Sequence, residues 1–457
     1  MNEKQKTLIY GGIAVFLALI AIITGPRTIT PEQFLDQGEF FFPGFEDPNA
    51  AQTLEVVDYD EETGTARPFK VTFSGNRWSI PSHHNYPADA KDRLAKTAAG
   101  VIGIRKDDFR TDNAAEHEAT GVIDPLDETA TSLSGRGQRV TIKGENEVVL
   151  ADFIVGNEVE NRENFRFVRV PGQKRVYAVR MNIEISTRFS DWIDGDLLRV
   201  EKNRINKVMI NDYSINEQTR SIDQRDEVIL DKDGNLWMVN RMTADQEVQP
   251  DSMSKYLTAL DELSIVGVRP KPEGLTSFLT QVQEGANITQ SDMLSLQSRG
   301  YFFTRDGSLR SNEGEIQTRT DDGVVYTLRF GEIVSGSGLA LTAGIESQDE
   351  DESGSGENRY LFISAQFDES FFDEPVKPGN TDFFTKADSL WSDADRRNKE
   401  LQDAYDEWEQ NVRNGRTLAE SLNTRFAPWY YVISSDNFIK LTMKRNSLVV
   451  RKEADGN

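Results

Sequence analysis

Only a few side chains in this sequence are spaced so that they could act together chemically. His83 and His84 are adjacent, and His117 is the only other histidine. A zinc-type site needs three or four ligands at workable spacing, and none accompanies the pair, so a structural or solvated role is expected. Asp231-Lys232-Asp233-Gly234-Asn235 opens like a calcium loop. Such a loop closes with a bidentate Glu at its twelfth position, where this chain has Met242. The similar upstream stretch Phe73-Ser74-Gly75-Asn76 keeps the Gly-Asn pair and drops the aspartates, so the aspartates are read as decoration of a hairpin turn. The glycines from Gly331 to Gly344 lack the Lys-Ser/Thr of a phosphate loop, and no GxSxG elbow is present. With 76 Asp and Glu, the sequence singles out no pair of carboxylates as acid and base. No catalytic, cofactor-binding or metal-binding residue is assigned, and a non-enzymatic role is expected.

Composition narrows the field further. The chain of 457 residues contains no cysteine, which excludes disulfides, thiolate metal sites, cysteine nucleophiles and lipidation at Cys. A formal net charge of -24 argues against nucleic acid and anionic lipid as partners.

The elements that must position any site are organised by a repeat. Phe69–Trp78 reads as strand, Gly-Asn turn and second strand opening on Trp, and Val228–Trp237 reads the same way. Two further landmarks follow each copy in the same order. Phe153-Ile154-Val155-Gly156 matches Leu328-Arg329-Phe330-Gly331, and Thr187-Arg188-Phe189-Ser190-Asp191-Trp192 matches Thr424-Arg425-Phe426-Ala427-Pro428-Trp429. The expected fold is α+β: two tandem related, mostly antiparallel modules, at 25–215 and 226–450. Apolar residues at helical spacing predict a helix over Pro87–Ile102 and its counterpart over Asp251–Val266. Leu54–Tyr59 is expected as a strand, Thr111–Ser134 as loop, and Asn211–Asp226 as a linker between copies. The Phe-rich stretch Phe40–Phe45 is expected to seed a core.

Residues 1–7 carry Lys4 and Lys6 and precede an uncharged run over 8–24. That run would span about 25 Å as a helix, enough for a thin bilayer with snorkelling flanks. The basic flank predicts a single-pass anchor in the inner (cytoplasmic) membrane, with the N-terminus cytoplasmic and the bulk extracytoplasmic. The rival is a cleaved signal peptide, for which Ala21–Thr28 offers no convincing cleavage site. Gly11, Ala14, Ala18, Ala21 and Gly25 share one helical face. Such a small-residue stripe serves membrane-helix packing or reflects the composition of such segments.

The second copy contains two insertions. The first, 335–357, is acidic and Gly/Ser-rich and is expected as a solvated loop. The second, 380–422, reads as a long helix. Trp391, Asn398, Leu401, Tyr405 and Trp408 lie on a seam of alternating three- and four-residue spacing, with Asn398 as the polar position that often fixes register. Such a coiled-coil-like seam docks either on its own domain or on another chain.

The Trp-bearing hairpin followed by a helix, the Phe-Ile-Val-Gly strand, the strand bearing Tyr177 and the N-terminal anchor together resemble a bacterial family named only as domain of unknown function 4340. Trp429-Tyr430-Tyr431-Val432-Ile433-Ser434, with Phe438-Ile439-Lys440-Leu441, is similar to the ending of its planctomycete-type members. The family has no established activity to carry over. Its relatives are often encoded beside gliding-motility-type transporter components, which implies an accessory role at an ABC-type complex. The function expected is therefore a membrane-anchored accessory or scaffold protein of the cell envelope, with other envelope or transporter proteins as partners. The alternatives are an extracytoplasmic ligand-binding module with its site between the copies, and an envelope hydrolase.

Overall fold

A computed structural model describes residues 11–18, 20, 36–216, 221–280, 288–304, 307–336, 338–345 and 357–452. Two β-sheets dominate. The first contains β1 (Thr53–Asp60), β2 (Thr65–Ser74), β3 (Arg77–Ile80), β4 (Tyr86–Pro87), β5 (Asp108–Thr111), β6 (Gln138–Lys143), β7 (Val149–Glu158), β8 (Phe165–Arg169) and β9 (Val176–Arg180). Its order is β4-β3-β2-β1-β6-β7-β8-β9-β5. Helix α1 (Lys91–Ile102) leads into β5 and buries Leu94, Ala98 and Val101, the apolar face the sequence predicts.

After the first sheet in sequence come β10 (Ile205–Asn216), β11 (Ser221–Asp233), β12 (Leu236–Val239) and β13 (Gln246–Val248). Helix α2 (Pro250–Asp261) buries Met253, Tyr256 and Leu260, and β14 (Gly267–Pro270) follows it. Then come α3 (Glu273–Thr280), α4 (Gln290–Gln297), the small hairpin β15 (Tyr301–Phe303) and β16 (Leu309–Ser311), and β17 (Glu315–Thr320) with β18 (Val324–Val334). The chain continues through α5 (Gly338–Thr342), β19 (Asn358–Phe367), α6 (Asp393–Phe426), β20 (Trp429–Ile433), α7 (Ser435–Leu441) and β21 (Val449–Arg451). The second sheet runs β12-β11-β10-β17-β18-β19-β20-β14. Starting from the Trp hairpin, its connections follow the same pattern as β3-β2-β1-β6-β7-β8-β9-β5 in the first. The named ladders are antiparallel, and the fold is α+β with a long helix, as expected.

The chain forms two compact units. One holds the residues up to Phe69 with Arg93–Ile185, and the other holds Lys70–Asp92 with Ser186 onward. The Trp78 hairpin therefore groups with the later sequence, which a division at 215 and 226 does not anticipate.

Asn211–Asp226 is not a linker as expected: β10 and β11 extend through it as far as 216 and from 221. Tyr213, with its ring buried, pairs across to Gln224 and gives that stretch a side to bury. The long helix begins at Asp393 and not near 380, because Ser392 caps it; Asp382–Thr385 and Asp388–Leu390 before it are 3-10 turns. Thr111–Ser134 is loop and turn as expected, apart from Thr111 at the end of β5 and two short helical turns at Ala114–Glu116 and His117–Thr120. Phe41 and Phe45 enter the core of the first unit, while exposed Phe40 carries the Arg105 guanidinium 3.8 Å from its ring centre.

The matched glycines of the second landmark serve the same purpose in both sheets. At Gly156 a Cβ would lie 2.3 Å from Thr120 O, and at Gly331 it would lie 2.1 Å from Arg299 O. Each glycine falls where the ladder slips, between Val155 and Glu158 in β7 and between Phe330 and Ile333 in β18. A bulge of this kind bends the strand and lets another segment approach. Gly156→Ala and Gly331→Ala should each cost about 3 kcal/mol or more of stability, the upper end for overpacking, because the obstruction is backbone. Urea titration of each variant would check this, with Gly195→Ala, where nothing crowds a Cβ, as the near-neutral control.

Candidate functional site

The seam residues of α6 meet the chain's own preceding segment. Asn398 Oδ1 accepts from Gly379 N at 3.0 Å, and its Nδ2 donates to Asn380 Oδ1 at 3.2 Å. Trp391 Nε1 donates to Phe383 O at 3.2 Å, and Trp408 Nε1 to Phe372 O at 3.1 Å. The Tyr405 and Trp408 rings lie 5.3 Å apart, with Lys377 Nζ 4.8 Å from the Tyr405 ring centre. Leu401, between Asn398 and Tyr405 in sequence, is half-buried. The same spacing continues through buried Gly415, Ala419, Leu422 and Phe426. There a Cβ on residue 415 would lie 2.5 Å from Asp322 O, and Asn423 Oδ1 accepts from Ala365 N of β19 at 2.9 Å. The C-terminal half of the helix is thus fixed on its own sheet, and the N-terminal half carries the 368–392 strap.

That strap leaves apolar side chains in solvent: Val376 is 73% exposed, Phe384 65% and Leu390 73%. Its closure on the helix combines the buried Phe383 ring, 6.2 Å from that of Trp391, with a charged clamp. Ser392 and Asp395 form a capping box, with Asp395 N donating to Ser392 Oγ at 3.2 Å and Ser392 N to Asp395 Oδ2 at 2.9 Å. Lys386 Nζ reaches the same carboxylate at 2.8 Å. The Lys386 and Ser392 hydrogen bonds hold the Asp395 carboxyl down to about 2.

A second feature of this unit is a cleft of about 950 Å³. The β15–β16 hairpin, α3 and the C-terminal end of α6 supply Phe303, Leu309, Phe278, Leu279 and Ala427, and β18 and β19 supply Arg329 and Phe362. Its charged residues are Arg310, Glu315 and Arg329. Glu315 is 3% exposed; Arg310 NH1 lies 2.7 Å from its Oε1 and Arg329 Nε 3.2 Å from its Oε2. Glu315 and Arg329 face each other across the β17–β18 ladder. Arg329 also donates to Leu309 O at 2.9 Å and Ser364 Oγ at 3.1 Å. Burial and the neighbouring Glu315 charge push the Tyr213 phenol up, so it stays a neutral hydroxyl beside that carboxylate. Sequence reasoning did not single out these residues. The available signal was Arg329 itself, a charge in an apolar strand where the matching landmark has Ile154.

Beneath the cleft wall lies Lys271. Its Nζ donates to Phe426 O, at the C-terminal end of α6, at 3.1 Å and sits 3.9 Å from the Phe362 ring centre. The helix dipole and the ring favour the charged amine, whereas full burial pushes its pKa well below the usual lysine range.

The histidines have structural partners. His83 stacks on Phe189 at 4.4 Å, its Nε2 is 2.9 Å from Thr342 Oγ1, and burial lowers it to about 4. His84 Nε2 is 2.7 Å from Ala343 O, and His117 Nε2 is 2.9 Å from Lys174 O. Asp231 pairs with Lys207 at 3.2 Å beside the β11–β12 turn.

Of the small stripe, Gly11, Ala14 and Ala18 are exposed on described helical residues, while Ala21 and Gly25 lie outside the described residues. The predicted 8–24 span is only partly described, and among the described residues no helix is long and apolar enough to cross a membrane. Within the acidic insertion, residues 337 and 346–356 lie outside the described residues, and Gly338–Thr342 is the short helix α5 where the sequence predicts a solvated loop.

A family model described as Domain of unknown function (DUF4340) matches residues 78–277, just under half of the 457-residue chain. The match begins at Trp78 and ends within α3, and it supports the family resemblance carried by the motifs. No curated protein and no solved structure matches the chain.

Two stability effects follow from this geometry. Because the native Asp395 is a stronger acid than an unfolded aspartate, near 3.9, its contribution is complete above about pH 4 and is lost as pH falls toward 2. Fluorescence of Trp391 and Trp408 should report release of the strap over that window, and Asp395→Asn should release it at neutral pH. Lys271 has the opposite sign. Its depressed native pKa means the unfolded chain binds more protons, so stability rises with pH up to the ordinary lysine value, about 10.4. Urea midpoints at pH 7 and pH 9.5 should rise more for the unmodified chain than for Lys271→Met.

Proposed function

We propose that this chain is a non-enzymatic, membrane-anchored accessory subunit of a cell-envelope complex, docking through the strap-bearing half of α6. The observation that carries the reading is the group of exposed apolar side chains, Val376, Phe384 and Leu390, on a strap whose other side is fastened to the helix. A contiguous exposed apolar patch is a mark of an interaction surface, and we take these three side chains, carried by one strap, as parts of such a patch. The uncharged run over 8–24 supports a single-pass anchor with the bulk outside the cytoplasm. The shared strand order and the paired bulge glycines support descent of the two sheets from one duplicated module. Partners of the ABC-type, gliding-motility-like class, and the planctomycete-type character of the chain, rest on the family resemblance.

Photo-reactive residues at Phe384 and Leu390 should capture one reproducible membrane-complex subunit in cells, with Ala18 capturing a membrane neighbour. The same residue at Val148, exposed in the other unit, should not capture the Phe384 and Leu390 partner. Only intramolecular adducts from Phe384 and Leu390 would refute the docking role.

A further inference from the structure

We infer that the Arg310–Glu315–Arg329 cleft binds a small amphipathic monoanion, a single carboxylate on an aromatic or aliphatic body. The inference does not depend on the docking role, since the strap and the cleft share none of their named residues.

Three observations carry it. The first is charge. The lining contains two guanidiniums and one carboxylate, and Glu315 spends both oxygens on the two arginines. One positive charge is left over inside a concave, partly desolvated site, where it attracts an anion more strongly than it would in open water. Among the described residues, Arg310 commits one N–H to Glu315, leaving donors for a planar, bidentate acceptor such as a carboxylate.

The second is shape and polarity. The cleft volume, about 950 Å³, lies at the upper end of ligand pockets, which run from about 300 to 1,000 Å³. Phe278, Phe303, Leu309 and Phe362 bring apolar surface to the same cleft, and Phe278 remains 38% exposed. A free inorganic anion would leave that surface wet.

The third is the contrast with the other sheet. Two residues before its bulge glycine, β7 has Ile154, fully buried with Val122 and Val176. At that place β18 has Arg329. The apolar solution is available to this strand pattern, and the second sheet departs from it by burying a charge network. Such networks are costly unless satisfied, and the leftover guanidinium donors are satisfied by a ligand.

The test is calorimetric titration of the full chain in detergent, blank-corrected, with 4-phenylbutanoate, its neutral analogue 4-phenylbutanol, and phenyl phosphate. The acid should bind at least about tenfold tighter than the alcohol, and phenyl phosphate should bind more weakly than the acid at a pH where it is a dianion. Arg310→Gln should weaken the acid about tenfold and leave the alcohol unchanged. Phe278→Ala, at an exposed position that tolerates truncation, should weaken both acid and alcohol. Glu315→Gln removes the internal counter-charge and should tighten phenyl phosphate, provided its melting transition is retained. Equal affinity for acid and alcohol, an Arg310→Gln variant that binds the acid as before, or no binding by the unmodified chain would each overturn the inference.

Discussion

The carbonyl of Arg299 occupies the space that a side chain on residue 331 would need. Because Gly331 leaves it empty, the chain after α4 can run directly over β18, with Glu332 N donating to Arg299 O at 3.0 Å. That contact seats Tyr301, whose ring packs 5.4 Å from Phe362 and 6.0 Å from Tyr430, and with it the β15–β16 hairpin. The hairpin in turn brings Arg310 to Glu315, and Asn312 N to Gly300 O at 2.9 Å closes its base. One missing methyl group therefore decides where the cleft wall stands and which charges meet behind it. The same close approach at Gly156 admits the turn at Thr120 in the first sheet, but there the space is filled by Ile154 and its apolar neighbours.

The long helix divides the second unit's burdens differently along its length. Its C-terminal half is held by Gly415 against Asp322 and Phe367 and by Asn423 bridging the β19 backbone. Its N-terminal half makes polar contacts with a strap of its own chain, which buries Phe383 beside Trp391 and leaves Val376, Phe384 and Leu390 in solvent. Packing at one end and a capping box at the other fix the helix.

Much of this was legible from residue patterns. The expected strand Leu54–Tyr59 falls within β1, helical spacing located α1 and α2, and the two Gly-Asn pairs located turns at which Gly75 and Gly234 both take φ near 59°. The edge strands β5 and β14 were not legible, being four residues each and defined by their partners. The β10–β11 extension through Asn211–Asp226 reads as polar because only Tyr213 shows its buried side. The seam spacing of α6 was legible, but which surface fills it depends on where the strap folds. The cleft was the hardest to see: Arg310, Glu315, Arg329 and Ser364 come from three strands and a hairpin and meet only through register.

A protein that presents an ordered apolar strap and uses a second place to sense a small anion would suit a regulated accessory subunit. The claim at the centre of this account is that the strap docks on another protein. The most direct measurement is native mass spectrometry of the full chain extracted from its own membranes in mild detergent, for the unmodified chain and for a Phe384→Asp, Leu390→Asp double variant. The account predicts a defined complex with another membrane protein for the former and its loss in the latter, with the melting transition unchanged. A lone monomer from the unmodified chain, or a complex indifferent to the double substitution, would contradict it.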